Sequence, residues 1–368
     1  MADDERARAY HRWQFRLGAA GFVTSILYLV AWLLTGAAVA LRNALEALTP
    51  IWWLELALAL LVLGAGHALV SLPLQWLGGF WLPRRFGLLH QSLGRWLWDR
   101  AKAGLVGAGL GVLAAEVVYG LLRATVWWWL WGALIFFAGY ALLAFVAPMW
   151  LVPLFYRLTP LDDAALRARL LRLAERAAIS VLGVWVADQS RKSRTANAAV
   201  VGLGRTRRIL LFDTLIAEFT EDEVESVLAH ELGHQVHGDV GRGLLIQGLL
   251  TLVTFWLADH VLRLGARALG LAGPADLAGL PLFGLALIAI GAVALPLANG
   301  WSRHVERQAD DFALRVTGNA AAFISAMRRL AVLNLAEPAP HPVKELFLYS
   351  HPSIERRVAR AQAFEPRA

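Results

Sequence analysis

Six long apolar runs alternate with polar stretches along the chain, and their lengths set the first expectation. Positions 17–41 form a charge-free run of 25 residues, and 56–83 a run of 28 punctuated by Gly64, Gly66, Pro73 and the pair Gly78-Gly79. Positions 104–122 hold 19 residues with one charge, Glu116, while 124–156 hold 33 with none. The run 243–258 is short at 16 residues unless it continues through Asp259 and His260 to Leu262, and 277–302 has 26. A helix of about 20 apolar residues crosses a bilayer. The pattern therefore predicts six spans, near 17–41, 56–83, 104–122 and 124–147 and in a hairpin over 243–302, with room for a seventh in the longest runs.

Two stretches are too polar for lipid, 157–242 and 303–368. The first carries 12 basic and 12 acidic residues, the balance of a folded soluble region. Leu166, Leu170, Leu171 and Leu173 give 162–178 a helical period. Residues 181–187, 196–201 and 208–212 read as strands, with a turn at Gly202-Leu203-Gly204 between the last two. Thr220 followed by Glu223 is a capping box that starts a helix running through Val236. The expected organisation is mainly α: a membrane region over 1–156, an α+β region over 157–242, a transmembrane hairpin over 243–302 and a polar C-terminal region over 303–368.

Composition agrees with that class. Of 368 residues, 58% are apolar and 17% charged, and sixteen are Trp; soluble domains average roughly 45–50% and 25%. Mean hydropathy is +0.53. The absence of Cys excludes disulfides, iron–sulfur clusters and a thiol nucleophile, so any metal must be held by His, Asp or Glu.

The net charge of +7 is arranged by segment. Arg6, Arg8, Arg12 and Arg16 precede the first span, and Arg84, Arg85, Arg95, Arg100 and Lys102 lie between the second and third. The alternate connections hold little beyond Arg42, Arg123, Arg263 and Arg267, whereas 303–368 is rich in Arg. This alternation fits both termini on the cytoplasmic side of a cell membrane. Trp52, Trp53, Trp96, Trp98 and Trp127 to Trp129 stand near span ends, where aromatic belts form. Basic residues that flank spans argue for a lipid bilayer as partner and against nucleic acid. The first apolar run far exceeds the roughly 7–15 residues of a signal-peptide core, so it reads as an uncleaved anchor.

Residues 230–234 spell His-Glu-Leu-Gly-His. Four residues apart on a helix, His230 and His234 share one face and can grip a single ion. Glu231 projects about a third of a turn away, placed to act on a water rather than to ligate. Two imidazoles and an open position suit Zn²⁺, one per chain, as a generator of a nucleophile near neutral pH. The bland alternative is a surface helix with ordinary histidines.

A third ligand must come from elsewhere. His237 lies on the same face, but three ligands on successive turns of one helix would splay from a tetrahedral centre. Glu306 is the better candidate, because two crossings separate it from His234 and return the chain to the same side. Asp310, four residues on, is then placed to orient a ligand imidazole. A solvated helix face remains the alternative for this acidic pair.

The ordered series of segments at 82–92 (LPRRFGLLHQS), 193–198 (SRTANA), 208–215 (RILLFDTL), 230–234 (HELGH), 302–310 (SRHVERQAD) and 350–356 (SHPSIER) resembles the membrane-embedded zinc metallopeptidases typified by the type I CAAX prenyl protease, and suggests a prokaryotic relative. The resemblance implies a gluzincin site with His230, His234 and Glu306 on zinc and Glu231 as general base. It also implies a large wet chamber among the helices and a site facing the cytoplasm. Asn197 and Ala198 match an edge strand that holds the substrate backbone, against a turn residue as the alternative for Asn197. His351 matches either an oxyanion donor or a structural cap, and Arg356 a partner for Asp310 or another acidic group. Members from eukaryotes have seven crossings, one more than the count above.

The expected activity is zinc-dependent endopeptidase hydrolysis of peptide bonds, on prenylated C-terminal peptides or on misfolded and membrane-associated polypeptides. A transporter or ion-binding membrane protein without peptidase activity is the competing class; it would place His and Glu inside the spans. The six acidic residues of 218–231 rule against a lipid-buried HExxH helix. Glu116 and Asn299, polar groups within apolar runs, either line a chamber or make buried hydrogen bonds.

Overall fold

A computed structural model describes residues 2–364 apart from Leu203 and Pro338; the turn expected around Leu203 thus lies partly outside the described residues. The N-terminal half is helical. Helices α1 (Ala2–Leu34), α2 (Ala37–Leu48), α3 (Trp52–Trp76), the short α4 (Leu82–Arg85), α5 (Leu93–Ala124), α6 (Trp128–Trp150) and the short α7 (Val152–Phe155) follow one another. The apolar run over 17–41 is not one rod. It breaks after Leu34 at Gly36, which adopts φ 73°, a left-handed conformation that suits glycine. With 12 residues α2 spans only about 18 Å and cannot cross hydrocarbon.

The soluble layers come next. Strand β1 (Leu158–Pro160), α8 (Ala164–Arg176), β2 (Val184–Ala187), β3 (Ala198–Val201), β4 (Arg208–Phe212), α9 (Asp213–Glu218) and α10 (Glu221–Val236) lead into two long helices, α11 (Asp239–Ala268) and α12 (Leu280–Thr317), then α13 (Ala320–Leu333), α14 (Pro342–Leu348) and α15 (Ile354–Gln362). The sheet runs β1-β2-β4-β3. Val184 is level with Ile209 in the parallel pair, and Ala198 with Leu211 in the antiparallel one. β3 is therefore an edge strand.

Among the described residues, six helices are long and apolar enough to cross a membrane. Their packing gives them two distinct ends. At one end Arg6 donates to the Phe86 carbonyl (2.7 Å), His11 Nε2 lies 2.8 Å from the Leu335 carbonyl oxygen, and Lys192 pairs with Asp99 (2.8 Å). At the other end Arg42 pairs with the buried Asp276 (2.7 Å), while buried Asp259 accepts from Trp128 (2.6 Å) and Arg263. The N-terminus, the connection after α3 and the whole α+β region share the first end, as six spans require. Helix flanks that would be wasteful in water are bare: Leu105 is 74% and Val293 73% exposed, as lipid-facing side chains should be.

Among the described residues there are two large apolar cores and a small third cluster, Tyr10, Leu82, Leu88 and Leu335, where the N-terminal helix meets α4 and the end of α13. Leu56, Tyr119, Trp128, Phe255 and Leu262 fill the membrane bundle. Leu170, Leu173, Ile209, Leu211, Leu228, Leu232 and Phe323 join α8, the sheet, α10 and α13. The sequence pattern divides the chain at 302–303, but the helix does not: α12 runs unbroken from the apolar stretch to Thr317.

Candidate active site

Helix α10 begins as its capping box dictates. The Thr220 hydroxyl accepts from the Glu223 amide, and the Glu223 carboxylate accepts from the Thr220 amide at 2.8 Å. Glu223 is buried and also accepts from Ser325 (2.6 Å), while Arg169 on α8 clamps Glu225 (2.6 Å). The first turn of α10 is thus fixed by both neighbouring helices. The helix ends at His237 and Gly238, the latter at φ 67°, and Asp239 opens α11 immediately beyond.

The third side of the site comes from α12. Gly233 lets the two helices close: a Cβ there would stand 3.0 Å from the Ala309 Cα. Glu306, one turn before Ala309, is carried against the two histidines. His230 Nε2 lies 3.2 Å from Glu306 Oε2, His234 Nε2 3.6 Å from Glu306 Oε1, and the two Nε2 atoms 3.3 Å apart. One donor atom from each of His230, His234 and Glu306 falls within 4.8 Å of the others.

The rear of each imidazole is braced. His230 Nδ1 meets Asp310 Oδ1 at 2.9 Å, and His234 Nδ1 meets Asp239 Oδ2 at 3.0 Å. Both rings therefore point Nε2 inward, the arrangement that second carboxylates impose on metal-binding histidines. Glu306 Oε2 is buried between His230 Nε2 at 3.2 Å and His351 Nδ1 at 2.7 Å, neither contact well directed for a hydrogen bond. The donor set of two imidazoles and a carboxylate fits Zn²⁺.

Electrostatics agree. Burial pulls the His230 imidazole down, but the hydrogen bonds to Asp310 and Glu306 outweigh it and lift its pKa to about 9. The pocket is one that favours a cation. Burial likewise raises the Glu231 carboxyl above its ordinary value, opposed by the nearby His230 and His234.

The remaining sequence-derived residues fall as follows. His351 reaches Glu306 Oε2 with Nδ1 at 2.7 Å and is 60% exposed, at the rim. Asn197 is exposed just before β3, and Ala198 opens it. The open edge of β3 faces α10, whose Gln235 donates to the Val200 carbonyl at 3.3 Å. His237 takes no part in the donor group; its ring meets Phe312 edge-on. Asn299 makes a buried hydrogen bond, donating to the Phe347 carbonyl at 2.7 Å.

For Arg356 the second expected alternative holds, another acidic group, and only the pairing with Asp310 is corrected. Its guanidinium does not reach Asp310 and lies 3.3 Å from Glu345. The residue on Asp310 is Arg357, which donates from Nε at 2.9 Å and from a terminal nitrogen at 2.5 Å, with that nitrogen also 3.3 Å from His230 Nδ1. Successive helical residues point about 100° apart, so a one-residue shift on α15 exchanges the site for the surface. Arg357 and Asp239 were both missed. A Gly-Asp pair directly after the helix that bears both histidines is the available signal for the second.

A profile of peptidase family M48 matches residues 160–365, more than half of the chain. The chain belongs to that family. A profile of the N-terminal membrane region of CAAX prenyl proteases, described as five membrane helices, matches residues 2–157. The uncharacterized metalloprotease YhfN of Bacillus subtilis is 30% identical over 90% of this chain and 79% of its own length. CAAX prenyl protease 1 of Saccharomyces cerevisiae is 27% identical over 81% of this chain and 70% of its own. The crystal structure of Saccharomyces mikatae Ste24p superposes with a TM-score of 0.87 at 22% identity, covering 99% of this chain and 89% of that one, which establishes a shared fold. This M48 member is thus a multi-pass membrane metallopeptidase, mainly α with a small sheet.

Proposed function

We propose that the chain is a zinc-dependent endopeptidase that cleaves membrane-associated polypeptides at the cytoplasmic end of its bundle. The observation that carries this reading is the convergence of His230, His234 and Glu306 donors, with Asp310 and Asp239 braced behind the two rings. The cytoplasmic assignment is supported by charge. Arg6, Arg12, Arg16, Arg84, Arg85 and Lys102 belong to the end that holds the site, and Arg42, Arg123, Arg263 and Arg267 to the other.

A bound zinc would supply Lewis-acid polarisation of the scissile carbonyl and of the attacking water. Glu231 takes the proton from that water and delivers it to the departing amine; its raised pKa moves it closer to the range where one group can do both. The substrate backbone adds to the outer edge of β3, replacing Asn197 Oδ1 on the Ala198 amide and Gln235 on the Val200 carbonyl, which orients the scissile bond along α10. His351 has Nδ1 engaged by Glu306 and presents the other face of its ring at the rim, where it donates to the developing oxyanion. Asp310 fixes the His230 tautomer, and Arg357 fixes Asp310.

Relatives named CAAX prenyl protease 1 make prenylated C-terminal peptides one substrate arm, and misfolded or unlipidated membrane-associated peptides the other. Purified protein is assayed on matched prenylated and unprenylated peptides. Cleavage abolished by chelator and by Glu231→Gln supports the reading, and cleavage that survives both overturns it.

A further inference from the structure

Away from the catalytic centre, the seam between membrane bundle and sheet contains a groove of about 380 Å³. It is walled by the first turns of α5, by Pro153 to Arg157 after α6, and by Arg191. Four basic side chains line it, Arg95, Lys102, Arg157 and Arg191, against the single carboxylate of Asp99. That carboxylate is already satisfied. Asp99 accepts from Gln91 (2.7 Å) and pairs with both Lys102 and Lys192 (2.8 Å each). Arg191 is held by Asp188 at 2.8 Å. The exposed guanidinium groups of Arg95 and Arg157 have no ion pair or side-chain hydrogen bond among the described residues, so the groove keeps an excess of positive charge.

Its other walls are of the kind found at headgroup depth. Trp98 is 65% and Leu154 49% exposed beside it, and Phe155 is overlaid by the ammonium of Lys102 at 5.0 Å. α5 runs from the groove straight into a candidate span, and α6 enters it from another. A guanidinium fork matches a phosphate in geometry as well as charge. Aromatic and apolar side chains at the same level accommodate the upper part of acyl chains.

We propose that this groove binds the phosphate ester of an anionic phospholipid, with Arg95 and Arg157 as the phosphate-holding residues. The lipid would brace the seam. Lys192, which ties Asp99 to the sheet region, also accepts at its carbonyl from His90 (2.9 Å), and Ser193 beside it bridges to Leu89. The same segment leads on to β3.

The test uses the full chain in detergent, titrated with phosphatidylglycerol or phosphatidylcholine and followed by native mass spectrometry. The expected result is selective retention of phosphatidylglycerol, weakened roughly tenfold in the double variant Arg95→Gln with Arg157→Gln. Removing the same charge from the N-terminal tail, by Arg12→Gln with Arg16→Gln, leaves retention unchanged. The charge-preserving pair Arg95→Lys with Arg157→Lys, which lacks the fork, falls in between and shows that loss does not come from unfolding. Equal losses in the two Gln doubles, or equal retention of phosphatidylcholine, would overturn the proposal. So would displacement of the lipid by millimolar glycerol phosphate, which would make the groove a site for soluble phosphate esters.

Discussion

Gly233 and Ala309 touch backbone to backbone: a Cβ on Gly233 would stand 3.0 Å from the Ala309 Cα and 3.2 Å from its carbonyl oxygen. That contact sets the distance between the helix bearing both histidines and the helix bearing Glu306. Two effects oppose each other in Gly233→Ala. Helix propensity favours Ala by about 1 kcal/mol, while overpacking against rigid backbone costs about 1–3 kcal/mol. The clash wins because backbone cannot swing aside. Gly233→Ala is expected to lower zinc content measured by elemental analysis, and Gly233→Val to lower it further; full occupancy in both variants would refute the argument.

Glu231→Gln keeps the side-chain volume and every group in the donor set. Zinc content should stay near one per chain, while kcat falls by about 10²–10⁴ as expected for a lost general base. Glu306→Ala should do the reverse to the metal and strip it. If the two variants show the same zinc content, the roles of these two carboxylates are misassigned.

Acidity enters through His230. Its pKa is raised to about 9 in the metal-free protein, so at pH 7 the ring carries a proton that a metal must displace. Zinc affinity should therefore climb with pH, by up to about tenfold per unit between pH 7 and 9, and each ion bound should release a proton. Chelator competition at pH 7, 8 and 9 measures this directly. A flat profile would mean that the ring is neutral before metal arrives.

Neighbouring arginines on α15 should behave oppositely. Arg357 is largely buried beside Asp310 and His230, and removing it takes away one of the two partners of a fully buried carboxylate, leaving only the His230 ring. Arg357→Ala should destabilise by about 3–5 kcal/mol. The exposed Arg356→Ala should stay within about 0.5 kcal/mol of the parent. Thermal or chemical unfolding in detergent compares them, and similar shifts would mean that Arg357 is not the arginine that holds Asp310.

What could be read beforehand was local. The capping box at Thr220 and Glu223, the strand Arg208–Phe212 and the two histidines on one helical face depend on residues a few positions apart. Glu306 was legible through parity of crossings and through the resemblance, since both bring 302–310 back to the histidines. What escaped depends on phase or on long-range packing. β1 has three residues, one of them Pro160, too few for any alternation. The choice between Arg356 and Arg357 depends on how α15 is rotated against α12, which no local pattern encodes. The polar switch at Ser302 looks like a helix end, yet α12 continues because Glu306, Ala309 and Ala313 find α10 and α13 to pack against.

That continuity gives the enzyme a mechanical property. From Leu280 to Glu306 runs a single stiff rod of roughly 40 Å, packed into the core of the bundle at one end and carrying the proposed third ligand at the other. A tilt of about 3° at its foot sweeps the Glu306 carboxylate by about 2 Å, more than a coordination bond tolerates. Pro296 removes one rung from the ladder ten residues below, the weakest point along the shaft. On the proposed ligation, a bilayer that changed the tilt of this rod would be expected to change how firmly the metal is held.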